Sequence, residues 1–208
     1  GGRALRMTLD YDGFATGVQG LGPGTRVVLW VRGCGIGCPG CMTKELWANG
    51  QGRPIEALVE QMLPHVQACD GLSISGGEPF DQALELSQLI DSLRAHVDVH
   101  VLSYSGYRIE RLRRRPEAKE LLSRLDMLMD GPYVQERATE KPWRGSDNQR
   151  LHLLSGRAKA PQEGDWRQLQ LQPLADGSVR LIGIPRRGDM EKLREALSAK
   201  GLVLRSEP

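Results

Sequence analysis

Apolar residues along most of the chain fall into two alternating patterns. Short, nearly continuous runs have the length of buried strands, and they lie at 26–31 ("RVVLWV"), 71–75 ("GLSIS"), 97–103 ("VDVHVLS") and 125–131 ("LDMLMDG"). Between the runs, apolar residues recur every three or four positions, as at Leu86, Leu89 and Leu93, which predicts amphipathic helices. This repeated alternation of strand and helix favours right-handed crossovers and an α/β protein with a parallel sheet.

Prolines set limits on the predicted helices. Pro54 stands at a plausible first helical position, where a missing N–H costs nothing, and apolar residues from Ile55 to Val66 then keep helical spacing. Pro64 is expected to kink or end this helix, because it cannot donate a hydrogen bond to the preceding turn. Pro116 is expected to interrupt the later helix that apolar positions between 109 and 125 predict.

Each predicted strand is followed at once by a motif rich in glycine and small polar residues. The motifs are "GCGIGCPGC" (33–41), "GGEP" (76–79), "SYSGY" (103–107) and "DGPY" (130–133). In parallel α/β folds, whether open or closed into barrels, the carboxyl ends of the strands form the edge that binds ligands. Four motifs on one edge therefore predict a single site there.

The chain changes character after the last of these motifs. Residues 131–150 are polar and lack periodicity, and a segment of this length is usually functional or disordered, although Trp143 argues against disorder. Beyond a linker-like stretch, a hairpin around "ADGS" and a helix from Asp189 to a terminating Gly201 are predicted. We therefore predict a core domain at 1–156 and a C-terminal extension at 157–208.

Composition narrows the class of protein. Of the 208 residues, 39% are hydrophobic and 26% charged, as is ordinary for a globular protein. A formal net charge of +2 points to neither a nucleic-acid nor a membrane partner, and no apolar run approaches the roughly 20 residues that span a bilayer. Four cysteines are too few for a disulfide framework, so the reducing cytoplasm is the expected compartment.

Three of the four cysteines lie close together in the first motif. Cys34, Cys38 and Cys41 have the spacing C-x3-C-x2-C, and thiolates are soft ligands that select Fe–S clusters, zinc or Cu(I). Electron-transfer clusters and structural zinc sites normally use four protein ligands, so three cysteines leave a position open for a substrate or cofactor. Cys69 could be a fourth ligand, but it is predicted at the opposite edge of the sheet, where a core cysteine is the favoured interpretation.

The cysteine spacing after the first strand, with Gly-Gly-Glu-Pro after the second, resembles the radical S-adenosylmethionine (SAM) superfamily. The resemblance implies a [4Fe-4S] cluster on the three cysteines, with SAM bound to the fourth iron and cleaved to a 5′-deoxyadenosyl radical. In this role Gly76 and Gly77 would let the backbone approach the methionyl group, beside Pro79, and Glu78 would accept from its ammonium group. By itself, the Gly-Gly-Glu motif would be interpreted as a strand-to-helix turn.

Five ordered blocks between Thr8 and Ser155 resemble one subgroup, the activating proteins of anaerobic ribonucleotide reductase. The blocks are "GPGTRVVLWVRGCGIGCPGCMTKELW" (22–47), "SGGEPF", "YSGY", "LMDGPYV" and "WRGSDNQR". The resemblance implies that the protein removes a glycine Cα hydrogen from a partner and so forms a glycyl-radical enzyme. It also implies a flavodoxin- or ferredoxin-type electron donor, and a shortened, open (β/α) barrel of radical SAM type with a C-terminal β-hairpin and helix.

The matching blocks suggest further site residues. Ser103, Tyr104, Ser105 and Asp130 would contact SAM, although residues at strand ends can also simply cap turns. A rim that receives the partner's glycine loop would be formed by Trp143, Arg144, Asn148, Gln149 and Arg150. The basic segment "RLRRRP" (111–116) is interpreted as a solvated helix face, with partner docking as the alternative.

Other functions stay open. If the C-terminal extension covers the rim, a small radical SAM enzyme acting on a metabolite or peptide becomes more plausible. Met42 also departs from the aromatic residue that many relatives carry after the last cysteine. An electron-transfer Fe–S protein would need a fourth protein ligand such as Cys69, and a structural zinc protein would contain no iron.

Overall fold

The computed structural model describes residues 7–162, 169–185 and 188–201. In these ranges the strands are β1 (Thr8–Leu9), β2 (Tyr11–Val18), β3 (Arg26–Val31), β4 (Arg53–Pro54), β5 (Gly71–Gly76), β6 (Val101–Ser105), β7 (Met127–Asp130), β8 (Arg150–Leu153), β9 (Leu169–Pro173) and β10 (Val179–Gly183). The α-helices are α1 (Ile55–Gln67), α2 (Ala83–Arg94), α3 (Ile109–Leu112), α4 (Pro116–Leu122) and α5 (Asp189–Ser198). Short 3₁₀ helices lie at Lys44–Leu46, Pro79–Gln82 and Gln135–Arg137.

The main sheet has six strands in the order β2-β3-β5-β6-β7-β8. Its four central strands are parallel, whereas β2 and β8 pair antiparallel at the two edges. The predicted α/β class with a parallel core is confirmed. Among the described residues no pairing joins β2 to β8, so the sheet is an open, mixed one and a barrel is not established.

Alternate residues of the central strands pack on two different faces. Val27, Leu29 and Val31 of β3 belong to the main core beneath α1, α2 and α4, together with buried side chains from those helices. Val28 and Trp30 face the other side of the sheet, toward the C-terminal hairpin. This follows from the two-residue period of a strand, and it explains why buried parallel strands read as continuous apolar runs.

The structure corrects one predicted strand boundary and shows that Pro64 does not end the helix that contains it. Pro64 lies inside α1, which continues to Gln67, because Met62 and Val66 on either side of it are buried in the main core and hold the last turn in place. Strand β6 begins at Val101 rather than Val97, because its pairing with β5 begins at Val101 and Leu72. The interruption at Pro116 is confirmed, since α3 ends at Leu112 and α4 begins at Pro116.

The C-terminal hairpin, formed by β9 and β10, packs on the sheet face opposite the helices. Ile182 is only 2% exposed and packs with Ala15, Val18 and Val28. The Gln170 amide donates to the Gly17 carbonyl at 2.9 Å, and the Arg180 guanidinium lies 5.5 Å from the centre of the Trp30 ring. The predicted hairpin and final helix are confirmed, and the division of the chain at residue 156 stays a prediction.

None of the helices in the described ranges has both the length and the apolar content that crossing a bilayer requires.

Candidate functional site

The carboxyl ends of β3, β5, β6 and β7 meet at one edge of the sheet, where a cavity of about 170 Å³ opens. All three cysteines of the first motif line it. So do residues of the other three motifs, and the lining includes Gly76, Gly77, Glu78, Pro79, Tyr104, Ser105, Gly106, Gly131 and Tyr133. The four motifs that follow the predicted strands therefore form one site, as expected from their shared position in the fold.

The cysteine loop is held by backbone hydrogen bonds rather than by regular structure. The Gly33 N–H donates to the Leu46 carbonyl at 2.8 Å, and the Cys34 N–H donates to the Trp47 carbonyl at 3.1 Å. Gly33, Gly37 and Gly40 have φ values of 86°, 62° and 73°, which residues with a side chain rarely adopt. The glycines thus let the loop curve so that its cysteines line one cavity.

The thiols form a donor set that fits an iron–sulfur cluster. All three are free and half-buried, and burial together with the neighbouring Cys41 and Cys34 thiols raises the pKa of Cys38. Apart from these thiols, the described residues that line the cavity include no cysteine and no histidine. Three thiolates without a fourth match an iron–sulfur cluster in which one iron has no protein ligand.

A site for one metal ion is a different arrangement. Among the residues that the structure describes, no three His, Cys, Asp or Glu side chains are grouped to hold a single ion. Thiolates that bind different irons of one cluster do not need to converge in that way. Cys69 packs against the main core and is absent from the cavity lining, in agreement with its interpretation as a core residue.

The Gly-Gly-Glu turn is hydrogen-bonded directly to the cysteine loop. The Gly77 N–H donates to the Val31 carbonyl and the Glu78 N–H to the Gly33 carbonyl, both at 2.8 Å. A Cβ atom at Gly77 would lie 2.2 Å from the Gly33 oxygen, and one at Gly76 would lie 2.4 Å from the Val31 oxygen. The two glycines are therefore required for contact between these loops, whereas their approach to SAM stays a prediction.

Glu78 joins the ends of β5 and β6 and is 1% exposed. Its carboxylate accepts from the Phe80 N–H at 3.0 Å and from the Ser105 hydroxyl and Gly106 N–H at 2.8 Å each. Burial outweighs these donors and raises the pKa of Glu78 from 4.5 to about 7. The carboxylate already has three protein donors, so the structure gives it a positioning role and leaves the expected bond to the SAM ammonium group without support.

The structure separates the other expected SAM contacts into two groups. Tyr104 and Ser105 line the cavity, whereas Ser103 and Asp130 are fully buried and do not. Asp130 instead accepts from the Ile109 N–H at 2.7 Å and from the Arg150 guanidinium at 2.6 and 3.0 Å. Contact of Ser103 and Asp130 with SAM is therefore not supported. Their side chains share the face of Val101 and Leu128, which belong to the core beneath the helices.

The polar segment between β7 and β8 is folded by its own side chains. Gln149 accepts from the Gly145 and Ser146 N–H groups at 2.9 and 3.0 Å, and it donates to the Gly131 carbonyl at 3.2 Å. Trp143 is buried with a φ of 58°, and its carbonyl accepts from the Tyr104 hydroxyl. Of the five predicted rim residues only Gln149 lines the cavity; Trp143, Arg144, Asn148 and Arg150 are engaged in holding the segment.

A model of the 4Fe-4S single cluster domain family matches residues 20–152. The chain belongs to this family. Over 137 residues it is 35% identical to the anaerobic ribonucleoside-triphosphate reductase-activating protein of Enterobacteria phage T4, a match that covers 62% of this chain and 85% of that protein. The protein of the same name from Escherichia coli K12 is 32% identical over 144 residues, covering 64% of this chain and 91% of that one. The chain is therefore also a member of the family of these activating proteins, which confirms the resemblance seen in the sequence motifs.

One solved structure, QueE from Escherichia coli, has a TM-score of 0.42 and 18% identity, covering 48% of this chain and 53% of that chain. That likeness is too remote to support a conclusion about the fold.

A second cavity, of about 520 Å³, adjoins the first. Cys41, Ser75, Tyr104, Tyr133 and Gln149 line both cavities. The opposite wall comes from the C-terminal hairpin and α5, and its lining includes Arg180, Leu181, Ile182, Ile184 and Met190. Sequence reasoning missed these residues, because nothing local in a hairpin indicates which face of the sheet it covers.

A methyl group at Gly77 is expected to disrupt the cysteine loop. Gly77→Ala places a Cβ against the Gly33 carbonyl, which is backbone and cannot move without shifting the loop. After anaerobic reconstitution we expect Gly77→Ala to retain far less iron and sulfide per chain than the unaltered protein. Gly156→Ala is the matched control, since nothing lies within 4 Å of the added carbon. Equal iron and sulfide contents in both variants would contradict the proposed contact.

The buried Glu78 carboxyl is expected to make stability depend on pH. Because its pKa rises from 4.5 in the unfolded chain to about 7 in the folded one, the folded state holds a proton in that window that the unfolded state has lost. The free energy of unfolding should therefore fall as the pH rises through this window, by about 3 kcal/mol at most for a shift of this size.

Urea unfolding of the cluster-free protein at several pH values measures this effect. Glu78→Gln removes the titrating group. The amide nitrogen of the new glutamine would face a hydrogen-bond donor such as the Gly106 N–H, so one donor loses its acceptor and this variant should be less stable overall. Its free energy of unfolding should lack the decline toward neutral pH. An unchanged slope in Glu78→Gln would assign the pH dependence to other groups.

Proposed function

We propose that this protein is a radical SAM activating enzyme that reductively cleaves SAM at a [4Fe-4S] cluster and forms a glycyl radical on a partner such as anaerobic ribonucleotide reductase. One observation carries the proposal: Cys34, Cys38 and Cys41 line one cavity, and no other cysteine or histidine lines it in the part of the chain that the structure describes. Membership of the activating-protein family supports the choice of partner.

The residues of the chain would divide the work as follows. Cys34, Cys38 and Cys41 would hold the cluster, which when bound would supply the one-electron chemistry that SAM cleavage needs. Glu78 keeps the ends of β5 and β6 together and so preserves the shape of the SAM cavity. Burial raises the pKa of Tyr104, so this wall residue stays a neutral phenol that donates to the Trp143 carbonyl.

We further infer three features from the family and the site. The open sheet would be the shortened barrel of the radical SAM type, with β2 and β8 as its unpaired margins. A flavodoxin- or ferredoxin-type protein would supply the electron. The enzyme would work in the reducing cytoplasm, because the three thiols must remain free of disulfides to hold iron.

Cysteine variants test the central proposal. In anaerobically reconstituted, chemically reduced protein with SAM, we expect formation of 5′-deoxyadenosine. Cys34→Ala, Cys38→Ala and Cys41→Ala should each abolish it and lose most of the iron, because each removes a thiolate from the cavity. Cys69→Ala is the matched control and should keep both iron and activity, because Cys69 packs against the main core.

The outcomes separate the alternatives. Loss of the cluster in Cys69→Ala would favour an electron-transfer protein with four ligands. Isolation of a colourless protein with zinc and no iron would favour a structural zinc site. An intact, reduced cluster that never cleaves SAM, even with a partner present, would contradict the proposed function.

The second cavity favours one further candidate, a radical SAM enzyme that acts on a peptide or small metabolite. The hairpin that walls this cavity lies beside the cluster cavity, where a bulky partner would have to enter. A small ligand would use that wall, whereas a large partner would be obstructed by it.

Loosening the hairpin distinguishes these two functions. Ile182→Asp places a charge in a contact that is 2% exposed, so the hairpin should detach from the sheet. If the partner is a glycyl-radical enzyme, its radical signal in electron paramagnetic resonance should persist or increase. If the substrate is small, its turnover should fall sharply. Leu171→Asp is the control, because Leu171 is 45% exposed on the same hairpin.

A further inference from the structure

A cluster of arginines lies beside the cysteine loop, outside both cavities. We call it the arginine patch, and it consists of Arg111, Arg113, Arg114 and Arg115, at the end of α3 and before α4. Arg111, Arg113 and Arg114 are exposed and Arg115 is half-buried. The sequence alone favoured a solvated helix face for this segment. The position of the patch relative to the cysteines gives a reason to prefer a docking surface.

A short chain of contacts joins the patch to the cysteine loop. The Gly35 N–H, between Cys34 and Cys38, donates to the Asp81 carboxylate at 3.1 Å, and the Tyr107 hydroxyl donates to the same carboxylate at 3.0 Å. The Arg111 guanidinium lies 4.3 Å from the centre of the Tyr107 ring. The exposed Gly35 backbone and the patch therefore belong to one continuous area of the surface.

The arginines nearest the loop are held in place. The guanidinium groups of Arg111 and Arg115 both lie near the Tyr107 ring, at 4.3 and 5.7 Å from its centre. Arg115 also donates to the Phe80 carbonyl at 3.2 Å, just after the Gly-Gly-Glu-Pro turn. Cation–π contacts orient long side chains that would otherwise sample many rotamers, so less entropy is lost when a partner binds.

The patch also carries uncompensated charge. Within the described residues, Arg111, Arg113 and Arg114 have no ion pair, whereas Arg115 pairs with Glu117 at 3.0 Å. Glu110 pairs with Arg150 at 2.8 Å. Asp81 accepts only from the neutral Tyr107 and Gly35 donors, so its charge offsets one of the three unpaired arginines. On a chain with a net charge of only +2, this leaves a local excess of positive charge beside the cysteines.

We propose that the arginine patch docks the electron donor, a small acidic protein that carries one electron. The inference rests on the proposed function, which requires one electron from outside for each SAM cleaved. The electron leaves the carrier, which is oxidised, and enters the cluster, which is reduced, and no covalent bond changes in this step. Complementary charge speeds such an encounter without a large buried area, as suits a carrier that must leave after one transfer.

The test uses the full, reconstituted chain and an acidic flavodoxin in its hydroquinone form, which becomes the semiquinone as the cluster is reduced. Stopped-flow absorbance of the cluster gives the second-order rate constant at low ionic strength. Arg111→Glu/Arg113→Glu/Arg114→Glu should lower this rate constant by at least about tenfold. Raising the ionic strength should lower the rate constant of the unaltered protein toward that of the variant, and it should change the rate constant of the variant little.

Two controls separate docking from damage. Lys192→Glu/Arg194→Glu/Lys200→Glu changes the net charge by the same amount on and just after α5, and it should leave the rate constant unchanged. Photoreduced deazaflavin, a small reductant that needs no docking surface, should reduce the cluster of every variant equally. If the triple patch variant does not fold, Arg113→Gln/Arg114→Gln removes charge without introducing acid and should give a smaller decrease.

The failures can be told apart. If deazaflavin reduces the cluster but SAM is not cleaved, the proposed function fails, while the flavodoxin rates still measure docking. If the patch and α5 variants are slowed equally, or neither is slowed, the docking proposal is overturned. It is also overturned if the patch variant keeps its flavodoxin rate and instead loses binding to the glycyl-radical enzyme, since the surface would then belong to that partner.

Discussion

Two backbone hydrogen bonds between the cysteine loop and the Gly-Gly-Glu turn support the rest of the site. They run from Gly77 to Val31 and from Glu78 to Gly33, and they form only because neither Gly76 nor Gly77 carries a side chain. Through them the end of β3 is fixed to the end of β5, and with it the loop that carries the three thiols. The geometry of the ligands is thereby set by main-chain contacts of adjacent parallel strands.

Glu78 extends this arrangement to the next strand. Its buried carboxylate joins the β5 end to Ser105 at the end of β6 and to Gly106 after it, and its backbone N–H donates to Gly33 after β3, so the ends of three central strands meet at this residue. Asp130 performs a similar task after β7, where it accepts from Ile109 and pairs with Arg150. Both residues lie in motifs that suggested ligand contact, and in the structure both hold neighbouring loops together. Buried carboxylates satisfied by backbone donors are well suited to this, because losing one donor leaves a costly unpaired charge.

The C-terminal extension changes what can reach the site. The hairpin packs through Ile182 on the sheet face opposite the helices and forms one wall of a second cavity beside the thiols. Electron entry and substrate entry would then use different sides of the molecule. The arginine patch lies beside the exposed Gly35 of the cysteine loop. The hairpin covers the sheet face opposite the helices.

Local patterns in the sequence determined the parallel α/β core, because apolar periodicity marks strands and helices and crossovers between parallel strands have one hand. The same order of elements placed every motif at one edge of the sheet. The interruption at Pro116 followed from the chemistry of proline. They also predicted the three cysteines as a ligand set, because the C-x3-C-x2-C spacing is read from a short stretch of sequence. Only the tertiary structure decided that Ser103 and Asp130 are fully buried and absent from the cavity lining, because burial depends on which loops and helices pack over the strand ends. It alone decided that β2 and β8 close the edges antiparallel and that the hairpin covers the sheet. The hairpin contacts join residues more than 100 positions apart, as in the bond from Gln170 to Gly17, and no local spacing encodes them.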